Sequence, residues 1–299
     1  MNMSNITRKM NKPQVAAFIF ILPSLITIFL FWVIPLVASI AMSFMNVDLF
    51  FSRTDFVGIE NYINMYHDSR FWNALYNTFR FMLMEMPLQI SISLLLAVFI
   101  SRNTPFSKFT RTVLYIPVIC SLTAMGILWS LLLDPTLGYY AYLLKVVGFE
   151  TVGFLKSTTW AMPAIAVMTV WKNFGLTMVI LSAAMLSVPK SLYEAATLDG
   201  AGNVAQFFNV TLPLIVPALG FCVITNTIDS LKVFDQVYTM TQGGPLNSTE
   251  TIVQYIYNRG FKIAPFNLGY ASSIAVILFM IIIVISLVMY KYFIDKETV

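Results

Sequence analysis

Six stretches of the chain stay apolar for at least the roughly 20 residues that a helix needs to cross a bilayer. They cover 15–43, 73–100, 112–133, 160–187, 212–233 and 269–290. Polar segments separate them at 44–72, 101–111, 134–159, 188–211 and 234–268, and segments 1–14 and 291–299 flank them. The pattern predicts an all-α integral membrane protein with six transmembrane helices. The first run follows Arg8, Lys9 and Lys12, as the apolar part of a signal peptide would. It is about twice the 7–15 residues of such a segment, so it reads as a retained helix. Pro23, Pro35, Pro87, Pro117 and Pro163 fall inside apolar runs. In lipid they are tolerated where neighbouring helices satisfy the carbonyls they free.

Composition agrees. The 299 residues are 58% hydrophobic and 11% charged, whereas a soluble domain carries about 25% charged residues. Most of the surface must therefore face lipid or protein. The net charge of +4 raises nucleic acid as a partner. Scattering of the basic residues among the runs excludes it. With the N-terminus inside, segments 1–14, 101–111, 188–211 and 291–299 hold nine Lys and Arg. The longer segments left outside, 44–72, 134–159 and 234–268, hold six. Cytoplasmic loops carry the excess of Lys and Arg, so both termini are expected in the cytoplasm. Cys120 and Cys222 lie inside apolar runs and read as small buried hydrophobes, not as a disulfide. His67 stands alone in a polar segment, so no metal site is expected.

The chain has no phosphate-cradling G-x-x-x-x-G-K-[ST] loop, no H-E-x-x-H and no G-x-S-x-G. It does not read as an enzyme. Ionisable groups inside spans are costly and usually face a cavity or a partner. Here they are Arg80, Glu85, Lys172, Asp229 and Lys232. Arg80 and Lys232 lie near span ends and can snorkel. Asp229 and Lys232 stand at i, i+3 and can pair. Asn226, Asp229 and Ser230 follow i, i+3, i+4 spacing on one helix face, and "TVWKNFG" (169–175) adds Trp171, Lys172 and Asn173. Such faces can hydrogen-bond hydroxyls and stack a sugar ring. They can equally hold helices together. The pattern fits both readings.

The segment "SLYEAATLDGAG" (191–202) is polar and alanine-rich between two apolar runs. Pro189 stops the fourth run. Ser191 and Glu194 have the spacing of a capping box, and Gly200 stands where a left-handed residue would end the helix. A second helical piece is expected over about 203–209. Ala195 and Ala196 keep one face small, so the unit is either a capped turn or a knob that docks on a partner.

That segment resembles the EAA loop of permease subunits of ATP-binding-cassette importers. Glu194, Ala195, Ala196, Leu198 and Asp199 precede the expected Gly200, and Leu212, Pro213, Leu214 and Pro217 follow. The segments 56–81, 232–257 and 268–281 are similar to the carbohydrate-uptake branch, nearest the maltose- and glycerol-3-phosphate-type first permease. The resemblance implies the type I permease fold, with a core over about 71–290 and a cytoplasmic coupling helix in 188–211. It implies a sugar permease of a bacterial cytoplasmic membrane, working by ATP-driven alternating access. Implied partners are a second, homologous permease, two copies of a cytosolic ATPase that bind the ATP and Mg, and an extracytoplasmic sugar-binding protein. This chain itself would hold no cofactor. The resemblance places ATPase docking on Glu194, Ala195, Ala196, Asp199 and Gly200. It places the substrate path at Asn173, Asn226 and Ser230 with Lys172 beside them, and Asp229 shares that face. The alternative is an ion-coupled secondary sugar carrier, resting on Glu85 and Asp229.

Overall fold

The computed structural model describes residues 13–101 and 104–293. Arg8, Lys9, Lys12 and Arg102, on which the expected orientation leans, lie outside the described residues, as does the end of segment 291–299. The chain divides into two compact units, 1–66 with 258–277 and 67–257 with 278–299.

In the first unit, helix α1 (Pro13–Ile28) continues through a π turn, Phe29–Val33, into α2 (Ile34–Ser43). Phe20, Phe31 and Trp32 are at least 72% exposed. A helix apolar on every side with no protein around it is suited to lipid. The π turn stands just before Pro35, which has no N–H to give the carbonyl four residues back. That carbonyl, of Phe31, lies inside the wide turn, where the ordinary pairing is already suspended. A short hairpin of β1 (Met45–Val47) and β2 (Thr54–Phe56) follows, pairing Asn46 with Asp55. Helix α3 (Glu60–His67) is pinned to the chain before it by Asn61, whose Nδ2 donates to the Ser43 and Met45 carbonyls, each at 2.9 Å.

Most of the described helices belong to the second unit. They are α4 (Ser69–Ile100), α5 (Pro105–Ile119), α6 (Leu122–Leu132), α7 (Tyr139–Val147), α8 (Ala161–Ser187), α9 (Lys190–Leu198), α10 (Asn203–Gln206), α11 (Leu212–Leu231), α12 (Asp235–Met240) and α13 (Ile252–Tyr257). Helix α14 (Leu268–Phe293) belongs to both units. Among the described residues five helices, two of them including π turns, are long and apolar enough to span a membrane. A sixth span exists if α5 and α6 count as one.

That pair departs from the expected straight helix over 112–133. The two halves meet at 92° across Cys120 and Ser121. Pro117 removes one hydrogen bond from the last turn of α5, which favours a break there. A continuous apolar pattern carries no record of such a bend. The fifth span also differs. α10, a π turn at Phe207–Thr211 and α11 form one helix from Asn203 to Leu231. The expected loop 188–211 therefore shrinks to about 188–202. Pro213 is accommodated as Pro35 is, since Asn209, four residues earlier, lies in the π turn.

The core of this unit is layered. One apolar cluster gathers Ala97, Met178, Leu181, Met185 and Ile215 toward the end that carries α9. Another gathers Phe81, Met162, Ile165, Met168 and Val237 toward the other end. Gly175 lets α8 come close to α5, because a Cβ there would lie 2.6 Å from the Leu114 carbonyl.

Candidate functional site

Between the two apolar clusters α4 turns polar. Phe81, Glu85, Gln89, Ser93 and Ala97 recur every four residues, so they share one face, and all are buried. The three polar members each find a partner on a neighbouring helix. Ser230 Oγ donates to Glu85 Oε2 at 2.5 Å. Gln89 Nε2 donates to Asn226 Oδ1 at 2.5 Å and to Thr177 Oγ1 at 3.3 Å. Asn226 Nδ2 in turn donates to Thr177 Oγ1 at 3.2 Å and to the Cys222 carbonyl at 2.9 Å. Ser93 Oγ donates to the Phe174 carbonyl at 2.9 Å. Polar groups buried in an apolar bundle are costly unless paired, and here their pairing ties α4, α8 and α11 together.

The same layer forms the wall of a cavity of about 520 Å³. α4 supplies Glu85 and Gln89, α8 supplies Asn173 and Thr177, and α11 supplies Asn226, Asp229 and Ser230. Phe81, Phe221 and Phe234 add aromatic wall, and Lys232 and Asp235 stand at the end away from α9. Such a volume is within the usual range for small-ligand sites. Asp229 and Lys232 pair at 3.4 Å, with side chains 76% and 52% exposed.

Four of the five residues expected along the substrate path, Asn173, Asn226, Asp229 and Ser230, line this cavity. Lys172 does not. Three consecutive residues of α8 point three ways, as a turn of 100° per residue requires. Trp171 packs on Trp129 with ring centroids 5.6 Å apart, Asn173 lines the cavity, and Lys172 Nζ donates to the Val118 carbonyl at 3.1 Å. Val118 lies in the last turn of α5, where carbonyls have no partner within the helix and a cation is favoured by the helix dipole. Lys172 thus closes the broken end of α5. Sequence reading did not single out Gln89 or Thr177, because both are uncharged and stand outside the polar stretches 169–175 and 225–232. The four-residue spacing from Glu85 was the available signal for Gln89.

The EAA-like segment is built as a rigid hairpin. α9 begins at Lys190 after Pro189, two residues before the start that a Ser191 cap would give, and no side chain caps its N-terminus. Glu194 is exposed and caps nothing, so the expected capping box is absent. The C-terminus matches expectation. Gly200 has φ +82°, Gly200 N–H donates to the Thr197 carbonyl at 3.0 Å, and Ala201 N–H to the Ala196 carbonyl at 2.9 Å. These two bonds are the Schellman pairing. Tyr193 Oη and Thr211 Oγ1 lie 2.8 Å apart, and Gln206 Nε2 donates to Thr197 Oγ1 at 2.9 Å, so α9 is fastened to the helix that continues into α11. Glu194, Ala195, Asp199 and Gly200 are exposed and Ala196 is half-buried.

Comparison with known proteins gives this arrangement a context. Residues 69–298 match the family described as the binding-protein-dependent transport system inner membrane component. The lactose transport system permease protein LacF of Rhizobium radiobacter is 32% identical, covering 91% of this chain and 92% of its own. The sn-glycerol-3-phosphate transport system permease protein UgpA of Escherichia coli strain 536 is 30% identical, covering 92% of each chain. A bacterial ABC transporter involved in the import of the acidic polysaccharide alginate superposes with a TM-score of 0.84 at 22% identity. That match covers 99% of this chain and 100% of the other. The chain belongs to the family of binding-protein-dependent transport system inner membrane components, the permease subunits of ABC transporters.

Proposed function

We propose that this permease carries a sugar or a related polyol across the cytoplasmic membrane by ATP-driven alternating access. One observation carries the reading. The exposed hairpin around α9 joins α8 directly to the Asn203–Leu231 helix, and both of these line the polar cavity. A force applied to α9 therefore acts on two walls of the cavity at once. In a packed bundle such a shift moves whole helices rather than bending one.

On this reading a cytosolic ATPase holds α9 through Glu194, Ala195, Ala196, Asp199 and Gly200, and binds the ATP and Mg that drive the cycle. A second, homologous permease completes the membrane part, with two ATPase copies beneath. An extracytoplasmic binding protein delivers the solute, which contacts Asn173, Asn226, Asp229 and Ser230. Both termini are cytoplasmic, in keeping with the distribution of Lys and Arg. The names of the relatives include an uncharged sugar, lactose, and an anion, glycerol 3-phosphate, so they leave the charge of the solute open. The test is uptake into cells carrying the complete importer. Vanadate should stop uptake while collapse of the ion gradients leaves it running for as long as ATP is held constant. Uptake that survives vanadate and stops with the gradient would replace this reading by an ion-coupled carrier.

A further inference from the structure

We infer that the solute is uncharged and rich in hydroxyl groups, and that this cavity discriminates against anions. The inference rests on the carbohydrate reading above and narrows it. Charge comes first. Two lysines of the sequence could have served an anionic solute, and neither is available for it. Lys172 is turned out of the cavity onto the Val118 carbonyl. Lys232 lies 3.4 Å from Asp229, which neutralises it locally. The described lining contains no arginine, and its exposed charges are two carboxylates, Asp229 and Asp235, against one ammonium, while the Glu85 carboxyl is buried and bonded to Ser230. A phosphate or carboxylate placed there would meet an excess of like charge in a site partly shielded from water, where such repulsion is strongest.

Hydrogen-bond capacity points the same way. Most side-chain donors at the wall are already spent. Gln89 gives its amide N–H groups to Asn226 and Thr177, Asn226 gives its own to Thr177 and Cys222, and Ser230 gives its hydroxyl to Glu85. Thr169 and Thr225 donate back to their own helices, to the Ile165 and Phe221 carbonyls. What remains is mixed, the Asn173 and Gln236 amides and the Thr177 hydroxyl as donors beside amide and carboxylate acceptors, a set that suits hydroxyls, which both donate and accept. Gln89 is 2% exposed, lines the cavity, and its Oε1 has no hydrogen-bond partner. Asp229 and Asp235 add exposed carboxylate oxygens. A buried amide oxygen without a partner favours a ligand that brings O–H groups. Hydroxyls can donate to it, whereas phosphate and carboxylate oxygens only accept. Phe81, Phe221 and Phe234 supply the apolar wall on which the C–H face of a sugar ring packs.

The experiment uses the full chain purified with the subunits it assembles with. Binding is measured calorimetrically for matched pairs: glucose and glucuronate, galactose and galacturonate, lactose and lactobionate, glycerol and glycerol 3-phosphate. In any pair that binds, the neutral member should be tighter by about ten-fold or more, and Asp229→Lys should narrow that ratio by about ten-fold. Asp229→Asn, which keeps the shape of this exposed side chain, should narrow it part of the way. An acidic member that binds as well as its neutral partner, or a ratio unmoved by Asp229→Lys, overturns the charge inference and leaves the carbohydrate reading standing. Failure of every member of both sets to bind removes the carbohydrate reading, and this inference with it.

Discussion

Lys172 Nζ donates to the Val118 carbonyl at 3.1 Å, joining the middle of α8 to the broken end of α5. The contact assigns this lysine to structure. Lys172→Met keeps the length of the side chain and removes its charge, leaving the Val118 carbonyl unpaired. The expected cost is about 1–3 kcal/mol of stability, the range for a lost hydrogen bond to a charged group. It should appear as a lower melting temperature of the purified protein, with the solute preference of the surviving fraction unchanged. A changed preference at unchanged stability would return Lys172 to the cavity.

The polar layer makes a different prediction. Gln89 and Asn226 are joined at 2.5 Å and share Thr177 as a partner. Gln89→Ala and Asn226→Ala should each destabilise by about 1–3 kcal/mol, because each leaves the other's buried amide unsatisfied. The double variant should cost less than the sum, with a coupling of about 0.5–3 kcal/mol for residues in one network. Chemical denaturation in detergent measures all three. Strict additivity would show that the two amides do not bond. Ser230→Ala should behave like the singles, since it strips the hydroxyl from Glu85, which is 3% exposed. A loss of folded yield on its own therefore does not count as evidence for solute contact at Ser230.

The face formed by Asn226, Asp229 and Ser230 was legible in the sequence because helical spacing alone creates it. The helix-joining reading holds, since Asn226 and Ser230 bond to α4, and both residues also line the cavity. Hydropathy marked the apolar stretches and, between two of them, the outlying α9 hairpin, and the glycine at 200 marked the helix end. Three features were not legible. The right angle at Cys120 leaves the apolar run unbroken. The π turns before Pro35 and Pro213 have no residue signature beyond the prolines, and a proline near or inside an apolar run does not by itself specify such a turn. The outward turn of Lys172 depends on where α5 happens to stop. The first two involve prolines that the sequence shows without the geometry they produce, and the third depends on packing between distant segments.

The staple between α4 and the 241–251 loop offers a third test. Arg70 at the start of α4 grips Glu250 through two bonds, Nε to Oε2 at 2.7 Å and Nη2 to Oε1 at 2.8 Å. The Glu250 side chain is 1% exposed, and the guanidinium also lies 5.4 Å from the centre of the Tyr255 ring. Arg70→Ala removes the charged partner of a buried carboxylate and should cost up to about 3–5 kcal/mol. Arg70→Lys keeps the charge but not the two-pronged geometry and should restore only part of that. Limited proteolysis of the 241–251 loop reads the effect directly: cleavage should be fastest in Arg70→Ala, intermediate in Arg70→Lys and slowest in the native chain. Equal rates for all three would mean that the pair does not hold the loop.

The α9 hairpin allows folding and docking to be tested separately. Among the described residues Glu194 makes no capping bond, and it is exposed. Glu194→Lys should therefore leave the helix intact, shown by unchanged melting, while uptake and solute-stimulated ATP hydrolysis by the complex are lost. Gly200 behaves in the opposite way. Its φ of +82° lies in the left-handed region, and a Cβ there would meet nothing within 4 Å. Gly200→Ala should cost about 1–2 kcal/mol through backbone strain alone. It should loosen the hairpin before it blocks any surface. If Glu194→Lys lowers stability as much as Gly200→Ala does, the glutamate supports the fold and the docking role assigned to it fails. If Glu194→Lys melts normally and uptake is lost, Glu194 acts on a partner rather than on its own helix.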